Sequence, residues 1–117
     1  LAVPTEKLIV GGFSQGSMAA CNAVFTRDVT PAGLVVLSGT PVNLDAWKSG
    51  MRERQSVPVF QSHGQHDPLL SFDAAEELRD AMRDAGMSTE WVPFRGGHEI
   101  PIPVLDGLSR FLAGLAH

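Results

Sequence analysis

Cysteine is almost absent from this 117-residue sequence, and no long apolar run occurs in it. Because Cys21 is the single cysteine, an intrachain disulfide is excluded, and we expect a cytoplasmic protein. A transmembrane helix needs roughly 18 consecutive apolar residues. No segment reaches that length, so we expect no stable membrane insertion. Residues 1–5 contain neither a basic region nor a long apolar stretch, which argues against a signal peptide.

Basic residues are also scarce, with 9 lysines and arginines against 13 aspartates and glutamates and a net charge of −4. This balance argues against nucleic acid or an anionic membrane as the main partner. The sequence contains no repeat, no low-complexity tract and no linker, and 44% of its residues are hydrophobic. That composition excludes a disordered chain and predicts one domain, residues 1–117, with its own core.

Short apolar runs alternate with amphipathic segments along the chain. The run from Gly33 to Ser38 shows no polar alternation, which is typical of a strand buried on both faces. Between residues 39 and 56 we expect irregular structure with one short amphipathic helix. The alternation predicts an α/β fold, a parallel sheet covered by helices with its chemistry at the carboxyl ends of the strands. The predicted strands are 7–13, 33–38, 57–63 and 88–94, and the predicted longer helices are 14–25, 71–85 and from 103 onward.

A G-x-S-x-G pentapeptide, Gly12-Phe13-Ser14-Gln15-Gly16, joins the first strand to the first helix. The two outer glycines allow the close approach of strand and helix that a tight turn demands. Such a turn exposes the Ser14 side chain and points the amino end of the helix at the reacting oxygen. The alternative is a glycine-rich turn in which Ser14 is only the helix N-cap. The strand before the motif and the helix after it favour a nucleophile.

Two further polar clusters follow the third and fourth strands, and they contain Asp67 and His98. The chain order Ser14, Asp67, His98 is the nucleophile, acid and base order of α/β-hydrolases. An imidazole within reach of a serine takes its proton, while a carboxylate fixes the imidazole tautomer and stabilises the imidazolium. These three residues are therefore the candidate catalytic residues.

A metal site is one alternative for the same clusters, with His63, His66 and His98 as ligands. Imidazoles three residues apart on a loop are not a standard zinc spacing, and no thiolate supports them. We therefore predict no metal. In this interpretation His63 is a strand-end histidine hydrogen-bonded to backbone, and His66 is an exposed loop residue.

Other side chains compete for the roles of acid and nucleophile. Glu99, Asp45 and Asp73 are rival acids, but only Asp67 follows the third strand and precedes a turn-forming proline. Cys21 lies about two turns into the first helix, where a buried thiol without a reactive role is the expected state.

Four motifs resemble those of the phospholipase/carboxylesterase family of α/β-hydrolases, to which acyl-protein thioesterases and bacterial carboxylesterases belong. The similarity runs along nearly the whole chain, in order and at sensible spacing. It implies a partial α/β-hydrolase fold with about four parallel strands and helices on both faces. The motifs are Gly11-Gly12-Phe13-Ser14-Gln15-Gly16-Ser17, Leu34-Val35-Val36-Leu37-Ser38-Gly39, His63-Gly64-Gln65-His66-Asp67-Pro68 and Gly97-His98-Glu99-Ile100.

The resemblance implies a serine carboxylesterase that cleaves short-to-medium acyl esters, with thioesters as further candidates. It assigns Ser14 as the nucleophile, Asp67 as the acid and His98 as the base, and it gives the backbone N–H of Gln15 to the oxyanion hole. It implies no metal or organic cofactor, and the partner is a small acyl ester. The loop 40–56 would border the acyl pocket. The residues that we assign to substrate binding are Phe13, Leu44, Trp47 and Leu69, with the hydrophobic core as the alternative place for Trp47.

The chain also departs from the family pattern. The family has strands before the nucleophile strand, and the loop after one of them gives the second oxyanion amide. We therefore expect the C-terminal part of a longer enzyme or a truncated protein, and a catalytically silent assembly module is the alternative to an esterase. A dienelactone-type hydrolase is disfavoured, because it would have a cysteine where Ser14 stands.

The missing strands would leave the strand at Leu8–Val10 with an open edge. A bare apolar edge is a template for pairing with another chain. We therefore expect a homodimer through this edge, or association with a missing N-terminal half.

Overall fold

Four strands and four helices alternate in the computed structural model, which describes residues 7–27 and 29–115. The prediction about a signal peptide concerns residues 1–5, which lie outside the described residues. Within the described ranges, no helix is both long enough and apolar enough to cross a membrane. The elements are β1 (Ile9–Phe13), α1 (Gln15–Thr26), β2 (Gly33–Leu37), α2 (Leu44–Glu53), β3 (Val59–Gly64), α3 (Phe72–Asp84), β4 (Thr89–Phe94) and α4 (Ile102–Leu115).

The four strands form one parallel sheet in the order β1-β2-β3-β4. Every residue of the two central strands, β2 and β3, is buried, because helices cover both of their faces. Helices α1, α2 and α3 pack on one face around Val36, Val59 and Leu78, and α4 packs on the other face around Phe60. The predicted α/β fold with helices on both faces is confirmed.

The short helix predicted within the segment 39–56 is present as the ten-residue helix α2, and only its length was underestimated. The Asn43 side chain accepts the backbone N–H of Ala46 and caps this helix. Trp47 and Met51 are fully buried, and the backbone of Gly50 lies against the carbonyl of Phe25 in α1. The tertiary contact with α1, which local sequence does not encode, stabilises a helix longer than the amphipathic stretch predicts.

The turn from β1 into α1 contains a residue in a conformation that only glycine adopts readily. Ser14 has φ 58° and ψ −122°, which is a strained backbone for a residue with a side chain. Its backbone N–H donates to the carbonyl of Leu37 in β2 over 2.8 Å, and its carbonyl accepts the N–H groups of Ser17 and Met18 in α1. The neighbouring strand and the helix therefore hold the strained turn from both sides.

The two glycines of the pentapeptide have different roles in this turn. A Cβ on Gly12 would lie 2.5 Å from the carbonyl carbon of Gly16, whereas a Cβ on Gly16 would meet nothing within 4 Å. The prediction that both glycines are needed for the close approach is therefore correct for Gly12 and wrong for Gly16. Strand and helix meet at the Cα of Gly12 and the backbone of Gly16.

The two edges of the sheet differ. The carbonyl of Leu8 accepts the N–H of Ala32, and the N–H of Ser14 donates to Leu37, so both point toward β2. The alternation of a strand then directs the N–H and C=O groups of Ile9, Gly11 and Phe13 to the outer side of β1, where no described strand pairs with it. On β4 the carbonyl of Phe94 bonds inward, so the nitrogen of Pro93 faces outward. A proline blocks strand addition at the β4 edge, but no proline stands at the outward positions of β1.

The two glycines give a matched pair of variants. We expect Gly12→Ala to destabilise the fold by about 2 kcal/mol or more, because backbone atoms cannot move aside as side-chain ends do. Gly16→Ala is exposed and lies in a helix, so we expect a change within about 1 kcal/mol, in the stabilising direction. Urea denaturation of the two variants measures both values. Equal losses would contradict the assignment of the contact to Gly12.

Self-association through β1 stays a prediction. We expect a dimer at micromolar concentration in sedimentation equilibrium, and we expect Ile9→Lys to shift it to monomer, because Ile9 is half-exposed and its backbone faces the open edge. Val42→Lys is the control, since Val42 is an exposed apolar residue on the loop between β2 and α2. A wild-type monomer of 12.5 kDa contradicts the prediction.

Candidate active site

Three side chains from three separate loops form one hydrogen-bonded series at the carboxyl edge of the sheet. Ser14 follows β1, Asp67 follows β3 and His98 follows β4. The Nε2 atom of His98 lies 2.9 Å from the Oγ atom of Ser14, and its Nδ1 atom lies 2.7 Å from the Oδ2 atom of Asp67. The structure thus brings together all three residues that the sequence analysis singled out.

The Asp67 carboxylate accepts three hydrogen bonds and has no exposed side-chain surface. Its Oδ1 atom accepts the backbone N–H groups of Leu69 and Leu70, at 2.8 and 2.9 Å. Burial by itself would raise the pKa of this carboxyl, but the Leu70 N–H, the His98 ring and the Leu69 N–H outweigh burial and lower the pKa. Asp67 is therefore ionised beside the Nδ1 atom of His98, where it favours a proton on Nδ1 and leaves Nε2 free to accept one.

The peptide group between Ser14 and Gln15, at the start of α1, is fixed in orientation by hydrogen bonds. The Ser14 carbonyl accepts three hydrogen bonds, from the N–H groups of Ser17 and Met18 and from the Ser17 hydroxyl at 2.5 Å. Because a trans peptide turns its C=O and N–H in opposite directions, these bonds also fix the N–H of Gln15, which points out of the helix start. No acidic side chain lies in the first turn of α1, so the positive end of the helix dipole at Ser14 is not neutralised locally.

The loops that carry the acid and the base are joined through their backbones. The N–H of Gln65 donates to the carbonyl of Phe94 over 2.8 Å, and the N–H of His66 donates to the carbonyl of Gly96 over 2.9 Å. A Cβ on Gly64 would lie 2.2 Å from the carbonyl oxygen of Gly97. The close contact at Gly64 sets the distance between the two loops, and therefore the distance between Asp67 and His98.

Of the four residues assigned to substrate binding, two lie beside this series. The Phe13 ring is 4.8 Å from the His98 ring, centroid to centroid, and is partly exposed. Leu69 follows the acid, and 71% of its surface is exposed. The Phe13 ring therefore offers apolar surface beside His98, and Leu69 is an exposed apolar residue of the loop that carries Asp67.

The other two substrate-binding predictions do not match the structure. Trp47 is wrong, because its side chain is fully buried in the core between α1 and α2, and its Nε1–H donates to Asn22. Leu44 packs partly against the same core and lines a groove of about 360 Å³ between α2 and α3, to which none of the three central residues contributes. The formation of α2 explains both outcomes, because the helix turns this segment toward α1 and α3.

The rival residues occupy other places. The Glu99 carboxylate accepts the N–H of Gly97, while Asp45 and Asp73 lie in the first turns of α2 and α3. The Cys21 thiol is fully buried, which raises its pKa to about 12. None of them is placed to act as the acid or the nucleophile of this site.

The histidines of the alternative metal site do not converge. In the part of the chain that the structure describes, no group of three histidine, cysteine, aspartate or glutamate side chains is placed to hold a metal ion. His66 is exposed, whereas the buried His63 bonds through its Nε2 atom to the backbone carbonyl of Leu70, as predicted for a strand-end histidine.

Two supporting residues were missed in the sequence. The sequence analysis names Ser17 only as the last residue of the first motif, and its hydroxyl bond to the Ser14 carbonyl carries no signal in a single sequence. Leu70 supports the acid through its backbone, which no side-chain pattern encodes. Chemically, the assembled series can pass the Ser14 proton to a neutral imidazole and stabilise the imidazolium, as acyl transfer to a serine requires.

Sequence comparisons point to one family. A sequence profile of the family described as Phospholipase/Carboxylesterase matches residues 1–116. Acyl-protein thioesterase 1 of Debaryomyces hansenii is 32% identical over 85 residues, which cover 72% of this chain and 37% of the relative. A probable carboxylesterase of Oryza sativa is 31% identical over 112 residues, which cover 94% of this chain and 42% of the relative. The chain thus spans less than half the length of either relative.

Solved structures show the same fold. Acyl-protein thioesterase 2 of Zea mays superposes with a TM-score of 0.83 at 21% identity, over 95% of this chain and 57% of that one. A carboxylesterase of Bacillus cereus superposes with a TM-score of 0.78 at 18% identity, over 95% of this chain and 51% of that one. Together with the profile match along almost the entire chain, these comparisons confirm the resemblance, and the chain belongs to the phospholipase/carboxylesterase family of α/β-hydrolases.

Proposed function

We propose that the protein is a serine carboxylesterase, which hydrolyses carboxylic esters through an acyl-enzyme on Ser14. The observation that carries this proposal is the continuous series from Ser14 through His98 to Asp67, with hydrogen bonds of 2.9 and 2.7 Å. The position of Ser14 at the amino end of α1 supports the same role, because negative charge that develops on a bound carbonyl oxygen meets the positive end of the helix.

The proposed reaction has two halves that use the same groups. In the first half the Ser14 Oγ atom bonds to the carbonyl carbon while its proton moves to the Nε2 atom of His98. The Gln15 N–H then donates to the oxyanion of the tetrahedral intermediate. When the bond to the leaving group breaks, His98 returns the proton to the departing alcohol. In the second half a water molecule attacks the acyl carbon, His98 again takes and returns a proton, and the acid leaves with Ser14 restored.

The proposed substrates are short-to-medium acyl esters. The Phe13 ring lies beside His98, and Leu69 is exposed on the loop of Asp67, so both are proposed to contact an aliphatic acyl chain. Thioesters are included, since two of the compared proteins are named acyl-protein thioesterases and a thiolate leaves by the same step. The proposed steps use only side chains and backbone groups of the protein, so we propose no metal or organic cofactor.

A second candidate is a catalytically silent assembly module. It is favoured by one specific observation, namely that among the described strands β1 pairs only with β2, which leaves its other edge for a strand of another chain. In this alternative the family fold persists and pairs with other chains, but the esterase reaction does not occur. The two candidates differ in whether Ser14 reacts.

Replacement of the nucleophile tests the proposal directly. We expect Ser14→Ala and His98→Ala each to remove nearly all ester hydrolysis, with losses of about 10⁴-fold or more, because residues that act as one unit fail together. A fluorophosphonate probe is expected to label wild-type Ser14 and to leave Ser14→Ala unlabelled. Glu99→Gln is the control, since Glu99 follows the base but bonds to Gly97. If Ser14→Ala keeps more than about a tenth of the activity, the proposal is wrong. Folded wild type that the probe does not label supports the silent module.

The pH dependence provides a second test. A neutral imidazole is needed for attack, so we expect kcat/KM to rise through about pH 6 to 8 and then level off. The pKa of Asp67 is lowered in the folded protein, so its stabilising contribution is complete above the ordinary carboxyl range and is lost only as pH falls through the lowered value. The rise therefore reports the imidazole and not acid unfolding through Asp67. Activity lost in EDTA and restored by zinc would contradict this mechanism.

A further inference from the structure

A second imidazole lies beneath the candidate acid. His63, near the end of β3, is fully buried, and its Nε2 atom lies 2.8 Å from the backbone carbonyl of Leu70. The same atom lies 3.5 Å from the Oδ2 atom of Asp67, the oxygen that bonds to His98. The Phe72 ring packs at 6.2 Å from the His63 ring and closes the other side. The proposed reaction uses none of these atoms of His63.

The neighbours of His63 determine which of its nitrogens carries the proton. Both groups near Nε2, the Leu70 carbonyl and the Asp67 carboxylate, are hydrogen-bond acceptors. A proton on Nε2 therefore forms a hydrogen bond to the Leu70 carbonyl and faces the Asp67 carboxylate. Without that proton, the Nε2 lone pair and the two oxygen acceptors would lie together with no hydrogen between them. The Nδ1 atom is buried and has no hydrogen-bond partner among the described residues, so a proton there would be a buried donor without an acceptor. We assign the Nε2–H tautomer on these grounds.

The Leu70 peptide group joins the second imidazole to the acid. Its N–H donates to the Oδ1 atom of Asp67, while its carbonyl accepts the Nε2–H of His63. The turn from Asp67 to Leu70 is thus anchored at its far end to the rigid strand β3. If this anchor were removed, Leu70 could move, and the Asp67 carboxylate would lose the N–H groups that hold it toward His98.

We propose that His63 is a positioning residue, which holds the Asp67 turn through Leu70 and so fixes the carboxylate against the Nδ1 atom of His98. The inference rests on the proposed esterase function, but its main test does not depend on activity. Residues that hydrogen-bond to a metal-ligating side chain and fix its orientation typically lower activity by about 10- to 100-fold when they are removed. We expect an effect of the same size for a residue that fixes a catalytic carboxylate.

The pH profile has a definite expected direction. The titratable groups that face His98 are Asp67 and, behind it, His63, while Glu99 is turned to the N–H of Gly97 and the Phe13 ring is uncharged. An ordered Asp67 carboxylate stabilises the imidazolium of His98. When the anchor is lost, the imidazolium is less favoured, so the acid limb of kcat/KM moves to lower pH while kcat falls.

Ring spectra of ¹⁵N-labelled protein test the inference without a substrate. In wild type we expect His63 as the Nε2–H tautomer and a strongly downfield Nδ1–H proton from His98, the signature of its short bond to Asp67. We expect His63→Phe, which keeps a ring but has no donor, to move this proton upfield, to lower kcat about tenfold or more and to shift the acid limb down. His63→Gln keeps a donor near the Nε2 position, and we expect it to restore the downfield proton and the acid limb. His66→Gln is the matched control and should match wild type, because His66 is exposed.

Two results would overturn the inference. One is an Nδ1–H tautomer of His63 in the wild-type spectrum, which needs no variant and therefore decides even if His63→Phe fails to fold. The other is a folded His63→Phe protein with the wild-type His98 resonance and acid limb, whatever its thermal stability, since that would make His63 a packing residue. Full hydrolysis by Ser14→Ala would instead refute the esterase proposal and would leave the ring spectra to decide the role of His63.

Discussion

Parallel hydrogen bonding between neighbouring strands is the constraint on which the candidate site depends. Because all four strands run in one direction, each ends at the same edge of the sheet, and the loops after β1, β3 and β4 meet there. The side chains of Ser14, Asp67 and His98, spread over 85 positions of sequence, need only short loops to come within hydrogen-bond distance. A sheet with one reversed strand would place one of them at the opposite edge.

The site itself is held by backbone more than by side chains. Ser14 is fixed by its own N–H and C=O, Asp67 by two N–H groups of its own turn, and the loop of His98 by two backbone bonds to the loop of Asp67. Such contacts tolerate many side chains, but they depend on exact turn geometry. For this reason Gly12 and Gly64, where an added Cβ would meet backbone, matter as much to the site as the residues with functional groups.

Local patterns predicted the alternation of elements and the strand at Val35 and Val36, which is buried on both faces. They failed where a distant contact decides the outcome. The contact between α2 and α1 buries Trp47 and removes it from any pocket, although the short helix itself was predicted. The support of the acid by Leu70 and the bond of Ser17 to the strained turn are likewise tertiary features. Residue type indicated the candidate catalytic side chains, but it did not indicate which other residues fix those side chains in position.

The sequential order of the strands in the sheet has a consequence for folding during synthesis. Since every strand pairs with its neighbour in sequence, a chain that emerges amino end first can add one strand and one helix at a time. The nucleophile turn forms with β1 and β2, and the acid turn follows with β3. The imidazole arrives only when β4 pairs. In a nascent chain Ser14 therefore has no imidazole to take its proton until β4 has paired with β3. Completion of the described sheet and assembly of the candidate site thus occur in the same folding step.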